Sequence, residues 1–310
     1  MDPAIVTEGL TRRFGHRLAV DHISLTIGVR EIFGVIGPDG AGKTTFFRML
    51  ATVLEPTGGS ARVAGADVTS APEAVKARIG YMPQAFALYP DLTVLENLRF
   101  VADVYAVPRS VLSERAERLL SSSRMGPFRH RLAEHLSGGM RQKLALAATL
   151  IHQPEVLLLD EPTTGVDPVS RREFWQILYD LNQQGMTVVV ATPYMDEAER
   201  CARVALLHQG RTLTVDTPAG VRARMRGTVL EVTATPRRAA LTAARALPGV
   251  MGGTVFGANL HLVVSGPDLA DELRAGLERR GIAVGAIRPI EPSLEDVFIS
   301  LMSQRADDAR

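Results

Sequence analysis

Residues 37–45 have the sequence GPDGAGKTT, whose residue types and spacing are suited to binding phosphate groups. The glycines let the backbone curl, so that successive N–H groups can point at phosphate oxygens. Lys43 adds a positive charge for the terminal phosphates, and the Thr44 hydroxyl group is a suitable ligand for Mg²⁺. An apolar stretch at 31–36 precedes the loop and a helical pattern at 44–51 follows it, so a helix N-terminus would face the anion. The stretch therefore predicts a nucleoside triphosphate site, with contacts from Gly37, Pro38, Asp39, Gly40, Ala41, Gly42, Lys43, Thr44 and Thr45.

Two acidic residues follow a second apolar stretch, VLLL at 156–159. A triphosphate site needs a carboxylate on the metal side and a group that activates water. We expect Asp160 to hold Mg²⁺ through water and Glu161 to polarise the attacking water as the general base. The uniformly apolar stretch is typical of a strand buried on both faces of a parallel sheet.

The sequence LSGGM at 136–140 precedes a helical pattern at 141–151. Ser137, Gly138 and Gly139 would form a second helix N-terminus with bare backbone donors, which is a second anion-binding end. Within one monomer this second end is surplus, unless it serves the site of another copy. The sequence therefore predicts a head-to-tail pair of such domains with the nucleotide between them.

Strands alternate with helices around these motifs, which predicts a doubly wound α/β core. Residues 1 to about 30 alternate apolar and polar positions and predict an antiparallel β layer, whereas about 85–150 is mostly helical. Further strands are predicted at 187–191 and 203–208, and further helices at 170–181 and from Tyr194 to Arg200.

The composition changes near residue 225, after which the elements become shorter. We predict strands at 228–233, 253–256, 260–264 and 283–287 and helices at 237–247 and 269–280. This βαββαβ order predicts a small ferredoxin-like α+β domain. A helix at 293–302 ends the ordered chain, which divides into a core at 1–224, a second domain at 225–304 and a solvated tail at 305–310. His261, on an apolar strand, is expected to be a packed residue rather than a ligand.

The composition of the 310 residues limits the classes of partner. With 35 basic and 34 acidic residues the net charge is +1, so no nucleic-acid partner is expected. The single cysteine, Cys201, excludes an internal disulfide and fits a reducing compartment. No apolar run approaches the roughly 18 residues of a membrane span, and the N-terminus lacks the layout of a signal peptide. We expect a cytosolic chain, in which any membrane role must come through a separate partner.

The motifs together resemble the nucleotide-binding subunit of an ABC transporter over roughly residues 4–220. Residues 37–45 resemble the Walker A loop, 156–161 the Walker B strand, and 136–140 the signature motif, with Met140 where the family usually has Gln. The resemblance implies an ATP-hydrolysing enzyme that dimerises around two ATP molecules with Mg²⁺. Ser137 and Gly139 would then contact the γ-phosphate of the opposite subunit.

Three further positions carry over from the resemblance. Gln84, in YMPQ, matches the Q-loop residue that reaches Mg²⁺ and water and senses the membrane partner. Residues 165–167, GVD, match the D-loop, which crosses to the opposite subunit. Phe14 matches the aromatic residue that stacks on adenine.

Three other segments are similar to the ABC-2-type exporter branch, which includes drug-efflux ATPases. They are LYPDLTVLENL at 88–98, YMDEAE at 194–199 and PSLEDVF at 292–298. The resemblance implies a peripheral subunit at the cytoplasmic face of the membrane, bound to separate permease subunits through a groove near 85–110. The C-terminal domain would be an accessory or regulatory module.

Two other functions remain open from the sequence. One is a soluble ABC ATPase of translation or DNA repair, although such proteins usually carry two of these domains or long insertions. The other is a catalytically impaired regulatory half of an asymmetric ABC pair.

Pro193 lies where most members of the family have a histidine that contacts the γ-phosphate and holds the attacking water. Proline has neither a side-chain donor nor an N–H group, although it suits the start of a helix. Loss of one positioned donor commonly costs ~10²–10³ in rate. We therefore expect the chain to turn over slowly as a homodimer or to pair with a second ABC domain that retains the histidine.

Overall fold

The computed structural model describes residues 2–85 and 88–308, and its contacts divide the chain into two units, Met1–Thr212 and Leu213–Arg310. The domain boundary predicted at 224/225 stays a prediction. Phe86 and Ala87, at the start of the predicted helical region, and Ala309 and Arg310, in the predicted tail, lie outside the described residues.

The first unit is built from ten strands and seven α-helices among the described residues. The strands are β1 (Ile5–Phe14), β2 (Arg17–Ile27), β3 (Ile32–Ile36), β4 (Gly58–Val63), β5 (Ala66–Asp67), β6 (Ile79–Met82), β7 (Val156–Asp160), β8 (Thr187–Thr192), β9 (Arg203–His208) and β10 (Arg211–Asp216), the last of which runs past the boundary between the units. The helices are α1 (Lys43–Leu50), α2 (Pro72–Lys76), α3 (Val94–Val104), α4 (Arg109–Ser122), α5 (Gly138–Leu150), α6 (Pro168–Gln183) and α7 (Met195–Ala198), with 3₁₀ turns at Gly126–Phe128 and Ala133–His135.

A six-stranded sheet in the order β10-β9-β3-β8-β7-β6 forms the centre of this unit. Strands β9, β3, β8, β7 and β6 are parallel, and every residue of β3, β7 and β8 is buried. Strands of this kind are apolar along their whole length because both faces are covered. The predicted parallel core is therefore confirmed.

The antiparallel layer is a separate sheet in the order β2-β1-β4-β5. Its strands β1 and β2 form a long hairpin in which Phe14 pairs with Arg17 next to the turn. The alternating burial along β2 fits a sheet with one covered face. This layer was also predicted.

The helical region consists of α3, α4 and α5 around a shared apolar core that includes Val94, Leu120 and Leu144. Thr93 and Glu96 form a capping box that fixes the start of α3. No helix in the described part of the chain combines the length and apolarity that a membrane crossing requires.

The second unit contains a four-stranded antiparallel sheet in the order β12-β13-β11-β14. Its elements are α8 (Pro218–Arg222), β11 (Thr228–Thr235), α9 (Arg237–Arg245), β12 (Val250–Phe256), β13 (Asn259–Val264), α10 (Ala270–Glu278), β14 (Ala283–Ile290) and α11 (Leu294–Asp308), with a 3₁₀ turn at Pro267–Leu269. The βαββαβ order with this strand arrangement confirms the ferredoxin-like prediction.

His261 is buried in the second unit, and its Nδ1 atom lies 3.0 Å from Oδ1 of Asp296 in α11. Ser293 donates from its backbone N and from Oγ to Oδ2 of the same carboxylate, at 2.9 Å and 2.6 Å. The ring of Phe256 stacks on the imidazole ring with centroids 4.2 Å apart. His261 thus packs and pairs within its own unit, and its Asp296 partner ties α11 to the sheet.

Two helices differ from their predicted lengths. Helix α11 runs to Asp308 rather than ending at Met302, so residues 305–308 continue a helix instead of forming a tail. The segment after Met302 contains neither Gly nor Pro, so nothing in its sequence stops the helix. Helix α7 has only 4 residues, whereas the sequence predicted a helix from Tyr194 to Arg200.

Candidate active site

The phosphate-type loop follows β3 and leads directly into α1, as predicted. Gly40 and Gly42 have φ values of 77° and 103°, in the left-handed region that favours glycine. A Cβ atom on Gly42 would overlap the carbonyl oxygen of Ala19, and one on Gly37 would overlap that of Leu207. The loop can therefore approach its neighbours this closely only with glycine at these positions.

Lys43, the first residue of α1, is buried with 3% of its side chain exposed. Its Nζ atom donates to the carbonyl oxygens of Gly37 at 2.8 Å and Pro38 at 3.1 Å. The same atom lies 3.1 Å from Oε1 of Glu161, whose side chain is 7% exposed. A buried ammonium group needs such partners, because an unpaired buried charge is costly.

Glu161 is positioned by the end of β7. It has a positive φ of 52°, and its backbone N–H donates to Ala191 in β8 at 2.9 Å. Its Oε2 atom accepts hydrogen bonds from Nε2 of Gln84 at 3.0 Å and from Oγ1 of Thr164 at 3.4 Å. A non-glycine residue with positive φ is uncommon, and such strain often occurs at functional sites.

Asp160 is fully buried, and its Oδ1 atom accepts a hydrogen bond from Oγ1 of Thr44 at 3.1 Å. Its Oδ2 atom has no hydrogen-bond partner among the described residues. Burial raises the pKa of Asp160 to about 6, although the hydrogen bond from Thr44 lowers it. An unpartnered carboxylate oxygen beside a hydroxyl group fits Mg²⁺, which proteins commonly hold through one or two carboxylates, water and substrate phosphates.

A cavity of about 590 Å³ joins the predicted residues Phe14, Asp39, Gly40, Gly42, Lys43, Thr44, Thr45, Gln84 and Glu161. Gly37, Pro38 and Ala41 shape the loop behind it through their backbone atoms, as Pro38 O accepts from both Lys43 Nζ and Ala41 N. The site's acidic and basic groups thus come from distant parts of the sequence and meet at one edge of the parallel sheet.

Phe14 lies at the rim of this cavity with 47% of its surface exposed. The guanidinium carbon of Arg12 lies 4.6 Å from the ring centroid, over one face. Arg12 itself is not among the residues that line the cavity in the described chain, which leaves the other face of the ring to the cavity. An exposed aromatic face of this kind can stack on a planar base.

Arg17, Ala19, Thr164 and Tyr194 also line the cavity, and sequence reasoning missed them. Arg17 and Ala19 lie on β2, outside the motifs, and only the hairpin register places them near the loop. Thr164 follows Glu161 closely, and Tyr194 follows Pro193, so their nearness to recognised positions was the available signal.

Pro193 also lines the cavity and directly follows the last residue of β8. Ile36 of β3 pairs with Thr192 of β8, and Asp160 of β7 pairs with Ala191, so β8 ends between the loop and Glu161. The described lining residues include no histidine. Proline itself provides no side-chain donor at the end of β8.

The segment after Pro193 is held by a buried cluster. The Thr163 hydroxyl group donates to the carboxylate of Glu197, which is fully buried. The Arg171 guanidinium lies 3.7 Å from Glu197 Oε1 and 4.4 Å from the Tyr194 ring centroid. These contacts fix Pro193 and Tyr194 relative to the turn that follows Glu161.

The predicted second anion-binding end forms the start of α5. Ser137 is its N-cap, and the Ser137 Oγ atom accepts a hydrogen bond from Met140 N at 3.3 Å. Ser137, Gly138 and Gly139 are not among the described residues that line the 590 Å³ cavity.

In the D-loop segment Gly165 has a φ of 74°, and Asp167 caps α6 by accepting from the N–H groups of Val169 and Ser170.

The family model and the similar proteins point to the same family. A family model described as ABC transporter matches residues 20–164. The chain is 36% identical over 310 residues to the daunorubicin/doxorubicin resistance ATP-binding protein DrrA of Streptomyces peucetius, covering 98% of this chain and 94% of that protein. It is 42% identical over 307 residues to the probable multidrug ABC transporter ATP-binding protein YbhF of Escherichia coli (strain K12), covering 97% of this chain. That alignment spans 53% of YbhF, so the chain is about half the length of this relative.

Solved structures show the same fold. The structure of an ATP binding subunit of an ABC transporter has a TM-score of 0.65 and 25% identity, over 71% of this chain and 92% of that one. A dimeric ATP-binding cassette in a post-hydrolysis state, bound to ADP and Pi, has a TM-score of 0.62 and 26% identity, over 69% of this chain and 98% of that one.

The two glycines at the start of α5 should respond differently to alanine. A Cβ atom on Gly138 meets nothing within 4 Å, whereas one on Gly139 would lie 2.5 Å from Ser170 Oγ and 2.6 Å from Ser170 Cβ. We expect Gly139→Ala to lower the free energy of unfolding by about 1–3 kcal/mol through overpacking, and Gly138→Ala to leave it within about 0.5 kcal/mol. Denaturant unfolding of both variants and the wild type checks this, and equal stability of the two variants would contradict the close packing of Gly139 against α6.

Proposed function

Since the chain belongs to the family of ABC transporter ATP-binding subunits, we propose that it binds and hydrolyses ATP with Mg²⁺ to drive export through separate membrane subunits. The observation that carries this proposal is the arrangement of Lys43, Glu161, Gln84 and Thr44 around one cavity, with Asp160 against Thr44. Each of these groups has a role in the transfer of a phosphoryl group to water.

The loop and its flanking residues bind the nucleotide. Backbone N–H groups of the loop and the N-terminus of α1 face the phosphates, while Lys43 neutralises their charge. The adenine base stacks on the free face of Phe14. Thr44 and Asp160, with Gln84, would hold Mg²⁺, which would offset the negative charge of the phosphates.

Glu161 serves as the general base of hydrolysis. A water molecule attacks the γ-phosphorus, its proton passes to the Glu161 carboxylate, and the bond to the bridging oxygen of ADP breaks. The backbone donors of the loop and Lys43 stabilise the charge that develops on the phosphate oxygens. Gln84 donates to Glu161 across the cavity and so connects the base to the segment that leads into the helical region.

The active unit is a head-to-tail dimer in which Ser137, Gly138 and Gly139 contact the γ-phosphate bound to the other copy. Two observations support this proposal: the three residues are absent from the described lining of the chain's own cavity, and they form the N-terminus of helix α5. A related cassette whose structure is dimeric and bound to ADP and Pi supports pairing of two such domains. Binding of ATP closes the dimer, and hydrolysis with product release reopens it.

The partners on the membrane side are permease subunits, which place the chain at the cytoplasmic face. Tyr89 and Phe100 on the helical region are 45% and 40% exposed with ring centroids 4.5 Å apart, so they offer an apolar surface within the expected groove. The relatives named for multidrug transport and drug resistance support export of organic drug-like molecules. Residues 225–304 form the proposed accessory or regulatory domain.

Pro193 favours a second candidate, in which the chain is the impaired half of an asymmetric pair. The proline lies between the loop and Glu161 and provides no donor, so a partner that retains the histidine would carry the faster site. As a homodimer, the chain would turn over slowly.

Replacement of Glu161 by Gln should trap an ATP-bound dimer, because the amide keeps the shape of the side chain but cannot take the proton. Light scattering after gel filtration with Mg²⁺ and ATP checks the dimer, and phosphate release checks the loss of turnover. Glu155→Gln is the matched control, since Glu155 precedes β7 and its side chain is 65% exposed. Unchanged turnover in Glu161→Gln would contradict the role of this residue.

Replacement of Pro193 by His should restore the donor and raise the turnover of the homodimer, by up to ~10²–10³-fold. Pro193→Ala is the control, because it removes the proline without adding a donor and should not raise the rate. Steady-state ATPase rates of the three proteins decide this. A wild-type homodimer that is already fast, with no gain in Pro193→His, would contradict both the slow homodimer and the asymmetric pair.

A further inference from the structure

Arg17 lies beside the phosphate-binding loop, although it belongs to none of the recognised motifs. It begins β2 and pairs with Phe14 across the hairpin turn formed by Gly15 and His16. Both Phe14 and Arg17 line the 590 Å³ cavity. A terminal guanidinium nitrogen of Arg17 lies 3.9 Å from the point that a Cβ atom on Gly40 would occupy.

The guanidinium group of Arg17 is uncommitted. Among the side chains that the structure describes, those of residues 2–85 and 88–302, none forms a hydrogen bond or ion pair with the Arg17 side chain. Lys43, the other cation that lines the cavity, already contacts Glu161 and two carbonyl oxygens. Arg17 is therefore the lining cation that can form new charge-assisted hydrogen bonds without breaking existing ones.

The position of Arg17 along the cavity indicates which part of a nucleotide it would meet. Phe14, on the same hairpin end, offers its free ring face for the base. Lys43 and Glu161, the proposed terminal-phosphate cation and general base, mark the γ-phosphate end of the proposed nucleotide. Arg17 lies near Phe14 and beside Gly40, between these two ends, where the ribose and the first phosphate of a nucleotide would lie.

We infer that Arg17 is a nucleotide-binding residue that contacts the α-phosphate, the phosphate attached to ribose. This inference rests on the proposed ATP site and adds a residue to it. Because Arg17 and Phe14 lie at the same end of the β1–β2 hairpin, this hairpin end would hold both the base and the first phosphate. A guanidinium group suits this contact, since its planar donors can bind two phosphate oxygens at once.

The contact should be the same before and after hydrolysis, because the α-phosphate does not react. Loss of Arg17 should therefore weaken the binding of ATP and the binding of ADP to a similar extent. The KM for ATP should rise, and kcat at saturating ATP should stay unchanged. Arg17 is exposed, so its replacement should not affect folding.

The test compares Arg17→Ala, Arg17→Lys and Arg13→Ala in the full chain. Arg13 is the matched control, because it is an exposed arginine of the same hairpin that lines a different depression, with Gly9, Thr11 and His22. We expect Arg17→Ala to bind both ATP and ADP about tenfold more weakly in calorimetry with Mg²⁺, as for loss of a charge-assisted hydrogen bond. Arg17→Lys should recover part of the affinity, and Arg13→Ala should stay within about twofold of the wild type.

Competition by AMP identifies the phosphate. AMP carries only the α-phosphate and is used here as a competitor of ADP. If Arg17 contacts the α-phosphate, Arg17→Ala should lower the affinity for AMP by a similar factor. Unchanged affinities for ATP and ADP in Arg17→Ala would overturn the inference. A loss of affinity for ATP alone, or an unchanged affinity for AMP, would also overturn it. Failure of the wild-type chain to bind ATP would instead overturn the proposed function, so the two failures are distinguishable.

Discussion

The buried ion pair between Lys43 and Glu161 is the interaction on which the rest of the site depends. The two charged groups lie 3.1 Å apart and are almost inaccessible to solvent. Burial of two charges is costly, and it is offset here by the carbonyl oxygens of Gly37 and Pro38 on one side and by Gln84 and Thr164 on the other. Removal of one partner from such a pair commonly costs about 3–5 kcal/mol. The pair requires β3 and β7 to end at the same edge, with β8 between them, which the parallel register provides.

The same ion pair connects the architecture to the proposed reaction. An incoming phosphate would compete with Glu161 for Lys43, since both are oxygen anions. Once Lys43 contacts phosphate, the Glu161 carboxylate becomes available to a water molecule, while Gln84 and Thr164 still hold it. Pro193 directly follows β8, the strand between β3 and β7, and proline has no side-chain donor. In the proposed reaction the chain keeps the residues that would bind phosphate and deprotonate water, and it has no histidine at this position to hold that water.

The sequence predicted correctly the structural elements that depend on residues close together in the chain. The glycine spacing of the loop, the apolar run of β7 and the serine that caps α5 each depend on neighbours within a few residues, and all three elements form as predicted. The βαββαβ order was also readable, because alternation and helical periodicity are local patterns. The family resemblance added the order in which distant motifs meet.

Other features depend on packing between distant segments, which the sequence does not display. The positive φ of Glu161 is held by a hydrogen bond to β8, and the approach of Arg17 to Gly40 follows from the hairpin register. Helix α7 is short because the N–H groups of Arg200 and Cys201 bond to carbonyl oxygens three residues back, those of Glu197 and Ala198, rather than four. Burial also raises the pKa of the Cys201 thiol, so the one cysteine stays protonated within the core.

Calorimetric binding of ADP to the wild type and to Glu161→Gln tests the central ion pair most directly. ADP is chosen because it carries a phosphate that reaches Lys43 without the γ-phosphate that closes the proposed dimer. If phosphate must displace Glu161 from Lys43, one ADP should bind to each chain, and Glu161→Gln should bind it more tightly than the wild type. Absence of ADP binding, or an equal or weaker affinity in Glu161→Gln, would contradict this account.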